Sequence, residues 1–481
     1  MELPDETVAR IAGEFADLEL GDPRRSRRVV KLVQALAKHP QASLPAALGT
    51  HSELEAAYRL LNSESFDFDD LLSEHGDRTI ARAELAGEVL VVHDTTTCSF
   101  EHADPREVGT LPTGKAGFFA HVALVVDARK HRRPLGVVHV EAYWREQRSG
   151  RGSRKKHLSG KEVAAWKGRE SERWARGVQH AQEKLEGCSV IHVMDREADK
   201  YELIDHMREH GQRFVLRSQY DRRLASDSSG PTKLREVMAA QPIVLQRDVY
   251  ASRRPEIRVP RARAAHPPRF ARNAKLAISA AVLAFRRPNS LSNEFVDELT
   301  VNVVQVQEID PPAGQKPIAW TLLTSEPIET TKDLERVIDI YRYRWLIEEL
   351  FKALKSGCMY EKRLFEERHA LLNLLAVSLP IAVELLSMRA RVADDPEAPW
   401  EDIVSPTQLE VLRTMAHRPL TKVPAAGEVL LAIAGLGGHL KQNGAPGWQV
   451  LHRGFQRLLD YEAGWKARET AKTPRTKSRK L

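Results

Sequence analysis

Three carboxylates stand where a fold could gather them. Two short apolar runs each close on an aspartate: Val89-Leu90-Val91-Val92-His93 leads into Asp94-Thr95-Thr96-Thr97, and Val190-Ile191-His192-Val193-Met194 leads into Asp195-Arg196-Glu197-Ala198-Asp199. A β-rich run closing on an acid is how an α/β fold presents a carboxylate at a strand tip, though such aspartates also serve turns. The third acid, Glu348, lies in Tyr341-Arg342-Tyr343-Arg344-Trp345-Leu346-Ile347-Glu348-Glu349-Leu350-Phe351-Lys352-Ala353-Leu354-Lys355. Read as one helix at about 100° per residue, this segment puts Tyr341, Arg344, Glu348 and Lys355 within roughly 60° of one another. Ile340, Ile347, Phe351 and Leu354 form an adjoining apolar stripe that can seat the helix on a core. The bland alternative is a surface helix with ordinary charges. Hard divalent cations such as magnesium take oxygen ligands and share their shell with substrate phosphates. Two such ions about 3.5–4 Å apart can activate the attacking oxygen and stabilise the leaving one. The helix cations would then grip the phosphodiester being cut. Glu197 and Asp199 compete with Asp195, but they fall in the turn that follows the strand. Glu349 competes with Glu348, but points about 100° off the stripe.

The elements that must position these residues follow from the pattern. Residues 1–85 read as helical: Ile11, Phe15 and Leu18 repeat at helical spacing, and Gly21-Asp22-Pro23 breaks the chain. Arg24, Arg25, Arg27, Arg28 and Lys31 open the next helix, with Val29, Val30, Leu32, Val33 and Leu36 toward the core. That basic cluster suits phosphate neutralisation, with a solvated face as the alternative. Strands are expected at 89–93, 121–127, 135–143, 189–194 and 213–217, and a helix at 160–185. Three strands, a helix, strand, helix, strand is the order of a ribonuclease-H-like fold. Its mixed sheet brings two strand-tip aspartates together, and a later helix can supply the glutamate. A structureless stretch over 218–317 would be implausibly long. Strand-like runs at 243–249, 276–285 and 301–306 mark a β-rich insertion instead. Thr330 or Thr331, with Asp333 and Glu335, caps the Glu348 helix. The expected architecture is α/β: helical residues 1–85, a catalytic core over 86–365 carrying the insertion, and a helical segment over 366–481. Its basic tail from Lys466 reads as disordered in the free protein.

Bulk properties narrow the function classes. A chain of 481 residues implies two or three domains. Its 42% hydrophobic and 29% charged content describes a soluble globular protein. The net charge of +7 favours a polyanionic partner. Cys98, Cys188 and Cys358 are widely spaced and form no C-x-x-C, which argues against a disulfide frame or zinc site and for a reducing cytoplasm. No signal segment is read at the start. The apolar window 371–388 is interrupted by Asn373, Pro380 and Glu384 and reads as a buried helix pair rather than a membrane span.

The chain resembles the insertion-sequence-four (IS-four) group of bacterial DDE transposases, and within it the Tn-five transposase subgroup. Tyr341, Arg344, Glu348 and Lys355 match that group's Y-x2-R-x3-E-x6-K signature. The likeness also runs through Leu20-Gly21-Asp22-Pro23-Arg24-Arg25, Ala57-Tyr58-Arg59, Asp94-Thr95-Thr96, Glu170-Ser171-Glu172-Arg173-Trp174 and Asp195-Arg196-Glu197-Ala198-Asp199. Further matches are Phe214-Val215-Leu216-Arg217-Ser218, Leu322-Leu323-Thr324-Ser325-Glu326-Pro327, Leu436-Gly437-Gly438 and Gly447-Trp448. The terminal parts match only in patches, so different DNA ends are expected. The run 151–161, with Arg154, Lys155 and Lys156, is more basic than the group's pattern and would add DNA contacts.

The resemblance implies cut-and-paste transposition. Asp94, Asp195 and Glu348 would hold two magnesium ions, with manganese as the alternative. Water nicks one strand at a transposon end, the freed 3′ hydroxyl forms a hairpin, a second water opens it, and the 3′ hydroxyl attacks target DNA. Tyr341, Arg344 and Lys355 would hold the phosphate beyond the cut, Trp320 would stack on a flipped base, and Arg217 would assist the distorted end. Arg25 and Lys38 would read one end while the other subunit of a DNA-bridged homodimer cuts it. The dimer contact is expected at Val404, Leu409, Val411, Leu412 and Met415, which could equally pack inside their own domain. No covalent protein–DNA link is needed, so Tyr341 is not a recombinase-type nucleophile. No P-loop is present and no nucleotide or membrane partner is expected. The rival readings are a non-catalytic DNA-binding regulator and a ribonuclease-H-like nuclease without strand transfer.

Overall fold

The computed structural model describes residues 5–129, 133–144, 160–225, 232–251, 268–417, 419–440 and 446–472. The basic run 151–161 therefore lies outside the described residues up to 159, as does the tail beyond 472.

Five helices open the chain: α1 (Asp5–Gly13), α2 (Pro23–Lys38), α3 (Leu44–Leu48), α4 (His51–Leu61) and α5 (Phe68–Ala86). The Gly21-Asp22-Pro23 break starts α2, with the Asp22 carboxylate accepting from Arg24 N–H and Pro23 in the first turn. Val29, Leu32, Val33 and Leu36 are buried at helical spacing, while Arg24, Arg27, Arg28 and Lys31 face solvent.

One nine-stranded sheet follows: β1 (Glu88–Ser99), β2 (Gly117–Asp127), β3 (Pro134–Tyr143), β4 (Ser189–Met194), β5 (Arg213–Arg217), β6 (Leu245–Ala251), β7 (Arg272–Arg286), β8 (Glu298–Ile309) and β9 (Ala319–Thr324). Its order is β3-β2-β1-β4-β5-β9-β8-β7-β6. β1, β2 and β3 pair antiparallel, β4 and β5 run parallel to β1, and β9 returns antiparallel to β5. The strands of the 218–317 segment thus prolong the one sheet, through β9, a strand that the sequence pattern did not mark.

Side chains alternate across β1 as a strand requires. Val89 and Val91 join Ala181 of α7 (Gly160–Lys184) and Leu185, the residue after its end, in one core. Leu90 and Val92 belong to the larger core that also holds Leu350 and Phe351. The elements of this opposite side are α10 (Thr331–Arg342), α11 (Trp345–Lys352) and α12 (Arg368–Asp394). Three shorter helices complete the preceding segments: α6 (Pro105–Val108), α8 (Tyr201–Glu209) and α9 (Leu234–Ala239).

Three expectations for the C-terminal third need correction. The apolar window is one helix, α12, with Pro380 inside it rather than a helix pair. Leu379 and Ile381 on either side are buried, so packing carries the helix through the proline despite the lost hydrogen bond. α12 is long and apolar enough to cross a membrane, but 89% of its most apolar window is buried inside the protein, as in a core helix. The proposed dimer stripe packs within its own chain: Val404, Leu409, Val411 and Leu412 of α13 (Pro406–Met415) and its approach are buried, and Met415 alone of the five is exposed. With α14 (Ala426–Leu436) and α15 (Trp448–Lys472) they form a helical cluster. Finally, residues from Lys466 to Lys472 are helical rather than disordered, because Lys466 pairs at 2.6 Å with Glu462 one turn back and Trp465 packs on the core.

Candidate active site

The parallel pairing of β1 and β4 sets the two aspartates side by side. Their register runs from Glu88↔Ser189 to Val92↔Val193. Two residues further along each chain stand Asp94 and Asp195. β4 ends at Met194, so Asp195 leaves the strand as expected and its Oδ1 caps the following turn, accepting from Glu197 N–H at 2.7 Å. Asp94 departs from expectation. It is not a strand tip, because β1 continues to Ser99 against β2, with Asp94 opposite Val122. The β-branched Thr95, Thr96 and Thr97 prolong the strand, and Asp94 sits where β1 loses its parallel neighbour.

Burial separates the competing acids. Asp199 is fully buried and committed to the loop after β5, accepting from Ser218 Oγ, Gln219 N–H and Tyr220 N–H and pairing with Arg222. Glu197 is exposed and pairs with Arg173 at 2.9 Å. Glu349 pairs with Lys352 and Arg389, away from the sheet.

The helix bearing Glu348 is not continuous. α10 ends at Arg342, the chain tightens through Tyr343 and Arg344 with Arg344 N–H on Tyr341 O at 3.1 Å, and α11 begins at Trp345. Beyond Lys352 it widens into a π-turn over Ala353–Gly357, closed by Cys358 N–H on Ala353 O at 2.8 Å. The stripe survives these changes because β1 receives it. Arg344 lies between two acids, with Nη2 at 2.5 Å from Glu348 Oε1 and Nη1 at 3.4 Å from Asp94 Oδ2. Lys355 donates to Thr97 O at 2.5 Å and faces Glu361 at 3.5 Å. Tyr341 is buried in the last turn of α10, and the Trp320 ring meets it edge-on at 5.7 Å. Arg217, at the end of β5, donates to Ala319 O at 3.0 Å and neighbours Tyr341.

The electrostatics are strained in one direction. Burial pushes the Asp94 carboxyl up to about 7, the nearby Asp195 charge pushes the same way, and Arg344 opposes both. Burial likewise raises the Tyr341 phenol, against the pull of Arg344 and Arg217. Arg344 itself is held more firmly charged by Tyr341, Glu348 and Asp94, despite its burial.

Hard-oxygen donors crowded against too little positive charge fit a divalent cation in kind. They do not form a cage for a single ion. Among the described residues, the group whose ligand atoms all lie within 4.8 Å of one another is His206, Glu209 and His210 at the end of α8, not the acid trio.

Arg25 and Lys38 stand apart from this cluster, on α2, which packs on α1, α3, α4 and α12. Arg25 donates to Leu20 O and Ser65 Oγ, and Lys38 faces Asp5 at 3.8 Å. Arg28, Lys31 and Lys38 rim a hollow of about 520 Å³ between α1, α2 and α4.

Two residues had no assigned role in the sequence reading. Trp345 is 48% exposed, with the Arg344 guanidinium 5.1 Å from its ring centre. Its position on the helical wheel, about 40° past Tyr341, was the available signal. Arg173 reaches Thr95 Oγ1 and Glu197 together, and no spacing rule could have shown that.

Two family models match the chain. One described as Transposase DNA-binding covers residues 9–66, and one described as Transposase DDE domain covers residues 174–379. The second includes Asp195 and Glu348 but begins after Asp94, which strand register brings close to Asp195. Among solved structures, one titled "Cryo-EM structure of piggyBac transposase synaptic complex with hairpin DNA (SNHP)" is similar at 10% identity over 82% of this chain and 74% of that one, with a TM-score of 0.36. A likeness that loose carries no inference. The two matched segments, a DNA-binding unit followed by a DDE domain, support a DDE transposase.

Proposed function

We propose that the chain is a cut-and-paste transposase of the IS-four type, with Asp94, Asp195 and Glu348 holding two magnesium ions in a ribonuclease-H-like core. One observation carries this reading: register places Asp94 beside Asp195, and Arg344 joins Glu348 to Asp94. Bound there, the divalent ions supply activation of the attacking oxygen and stabilisation of the leaving one.

The chain's own residues do the rest. Arg344 and Lys355 flank β1 on the side of the acids and present cations to the phosphate next to the scissile bond. The buried Tyr341 and the half-buried Arg217 back them. Trp320 against Tyr341, and the exposed Trp345 against Arg344, offer π-faces to a base drawn from the stack. Extrusion of a base costs a few kcal/mol, and stacking worth about 1–3 kcal/mol offsets part of it. This grip on a distorted strand supports hairpin formation and resolution over simple hydrolysis. The helices of residues 1–85, with Arg25 and Lys38, read one transposon end, and residues 366–481 complete a dimer assembled on DNA in the bacterial cytoplasm.

Incubation of the protein with its flanking inverted repeats and magnesium tests the reading. Nicked ends, then hairpinned donor ends, then joined target are expected. Nicks without hairpins would leave a ribonuclease-H-like nuclease, and binding without cleavage would leave a DNA-binding regulator.

A further inference from the structure

On the face of β1 turned away from Asp94, three imidazoles lie buried beneath α7 on neighbouring strands. They are His121 on β2, His93 on β1 and His192 on β4, each 0% exposed. Buried polar groups take partners, and here the partners fix the protons. Gln182 Oε1 lies 3.2 Å from His192 Nε2. An amide oxygen only accepts, so that nitrogen carries the hydrogen and His192 Nδ1 holds a lone pair. His93 Nε2 lies 3.0 Å from His192 Nδ1 and therefore donates to it. His93 Nδ1 is left as an acceptor. From the other end, Arg173 Nε donates to Thr95 Oγ1 at 3.0 Å. The Thr95 hydroxyl, with one lone pair so engaged, can give its own hydrogen to His121 Nδ1, also at 3.0 Å. In that arrangement His121 carries its hydrogen on Nε2.

Two polar atoms remain. Among the described residues, His93 Nδ1 and His121 Nε2 have no hydrogen-bond partner. One accepts and the other donates, and both lie against Gly177 of α7. A side-chain carbon at Gly177 of α7 would stand 2.9 Å from His121 Nε2 and 3.3 Å from His93 Nδ1. Glycine here keeps a carbon out of a place reached by a donor and an acceptor of matching sense.

We propose that one buried water accepts from His121 Nε2–H and donates to His93 Nδ1. It completes a hydrogen-bonded chain from Arg173 through Thr95, His121, His93 and His192 to Gln182. A structural water takes two to four polar partners, and this one has the two it requires for the chain. The chain fastens α7 to the strands that carry Asp94 and Asp195. At its head, Arg173 also holds Glu197 at 2.9 Å, two residues past Asp195, while Thr95 follows Asp94 directly. Arg173 is accordingly a positioning residue for both aspartates. This last step rests on the metal reading proposed above, whereas the water does not.

Nitrogen-15 spectra of histidine-labelled full-length protein at pH 7.5, assigned with single His→Gln variants, test the water. His93, His121 and His192 should all be Nε2–H tautomers, with His121 Nε2–H in cross-relaxation with a long-lived water. A hydrogen on Nδ1 of His93 or His121, a metal-bonded nitrogen, or no water contact would overturn the proposal. Gly177→Ala should abolish the water signal and lower the melting temperature; persistence of the signal would place the water elsewhere and refute this site. The positioning role is read separately, from manganese affinity by electron paramagnetic resonance without DNA. Arg173→Gln should weaken binding roughly tenfold, a loss of about 1.4 kcal/mol, with the circular dichroism spectrum intact. Unchanged affinity refutes that role, and the histidine spectra still decide the water.

Discussion

His93 and Asp94 are consecutive in β1, yet their side chains enter different media. His93 points under α7, where His121, His139 and His192 share a sealed face and every ring is pushed toward its neutral form by burial. Asp94 points toward α11, where burial and Asp195 push it toward its neutral form while Arg344 pulls it back. Loss of water therefore acts alike on both faces, and the difference lies in the partners. One face settles its protons through neutral hydrogen bonds. The other sets Asp94 and Glu348 on one shared guanidinium, with the Asp195 charge close to Asp94, and keeps an electrostatic demand that a further cation can meet. A strand with both faces sealed makes a scaffold, and one with a charged face makes a site. The predictions below either break that contrast or sharpen it.

The largest effect belongs to the charged face. Asp94→Ala, Asp195→Ala or Glu348→Ala should lower end cleavage about a thousandfold or more, since several kcal/mol of charge stabilisation are lost with a metal ligand. Binding of end DNA in a gel shift should change by only a few fold. Near-normal nicking by any one variant removes that residue from the trio.

Next come the groups that grip the strand rather than the metal. Arg344→Ala and Trp320→Ala should retain nicking and lose hairpin product by roughly 10- to 100-fold, in line with stacking and charge-assisted contacts of about 1–3 kcal/mol. Both products are read from one denaturing gel. Equal loss of nick and hairpin would mean that Arg344 serves the acids, which its contacts with Asp94 and Glu348 also permit.

Much of this contrast could be read before the coordinates. The runs ending at Asp94 and Asp195 are β-branched and short, and the structure makes both of them neighbouring parallel strands. The capping box at Thr330 and Asp333 marked the start of α10 from local chemistry alone. What escaped the sequence depends on contacts far apart in the chain. β9 becomes a strand because β5, about a hundred residues earlier, offers it an edge. The helix break at Tyr343–Arg344 leaves both residues in right-handed helical geometry, so no residue type announces it. At the π-turn, Gly357 lies so close to Leu385 of α12 that a side-chain carbon would meet it at 2.9 Å, a packing fact with no local signature. The histidine row needs the lateral register of three strands, which spacing along the chain does not contain.

The sealed face makes a prediction about acid. Burial holds His139 near 4 and His192 near 3, and His93 and His121 well below their usual 6.5. The folded state thus binds these protons less readily than the unfolded chain. Their contribution to stability is complete above pH 6.5 and declines as pH falls through 6.5 toward the folded values, by about 1.4 kcal/mol per unit for each group. Urea midpoints measured from pH 7.5 to 5 should fall steeply, and His139→Gln should flatten the curve. A level curve between pH 6.5 and 5 would show that these rings are not held neutral.

Asp94 should respond to pH with the opposite sign. Its folded value near 7 lies above the ordinary 3.8, so the fold favours its protonated form. That contribution is complete below pH 3.8 and is lost as pH rises through 7. At pH 8 without divalent ions the ionised carboxylate therefore costs stability, with Arg344 recovering part of it. Asp94→Asn removes the charge and keeps an oxygen for the Thr95 N–H, which lies 2.7 Å from Asp94 Oδ1. The variant should be inactive yet more stable at pH 8, by on the order of 1–3 kcal/mol after allowing for the guanidinium left with Glu348 alone. Lowering the pH toward 4 should close the gap, and adding magnesium should stabilise the native protein but not the variant. Thermal melts at three pH values, with and without magnesium, read all of this. If Asp94→Asn instead melts lower at pH 8, the pairing with Arg344 outweighs burial, and the charged face is as self-sufficient as the histidine face behind it.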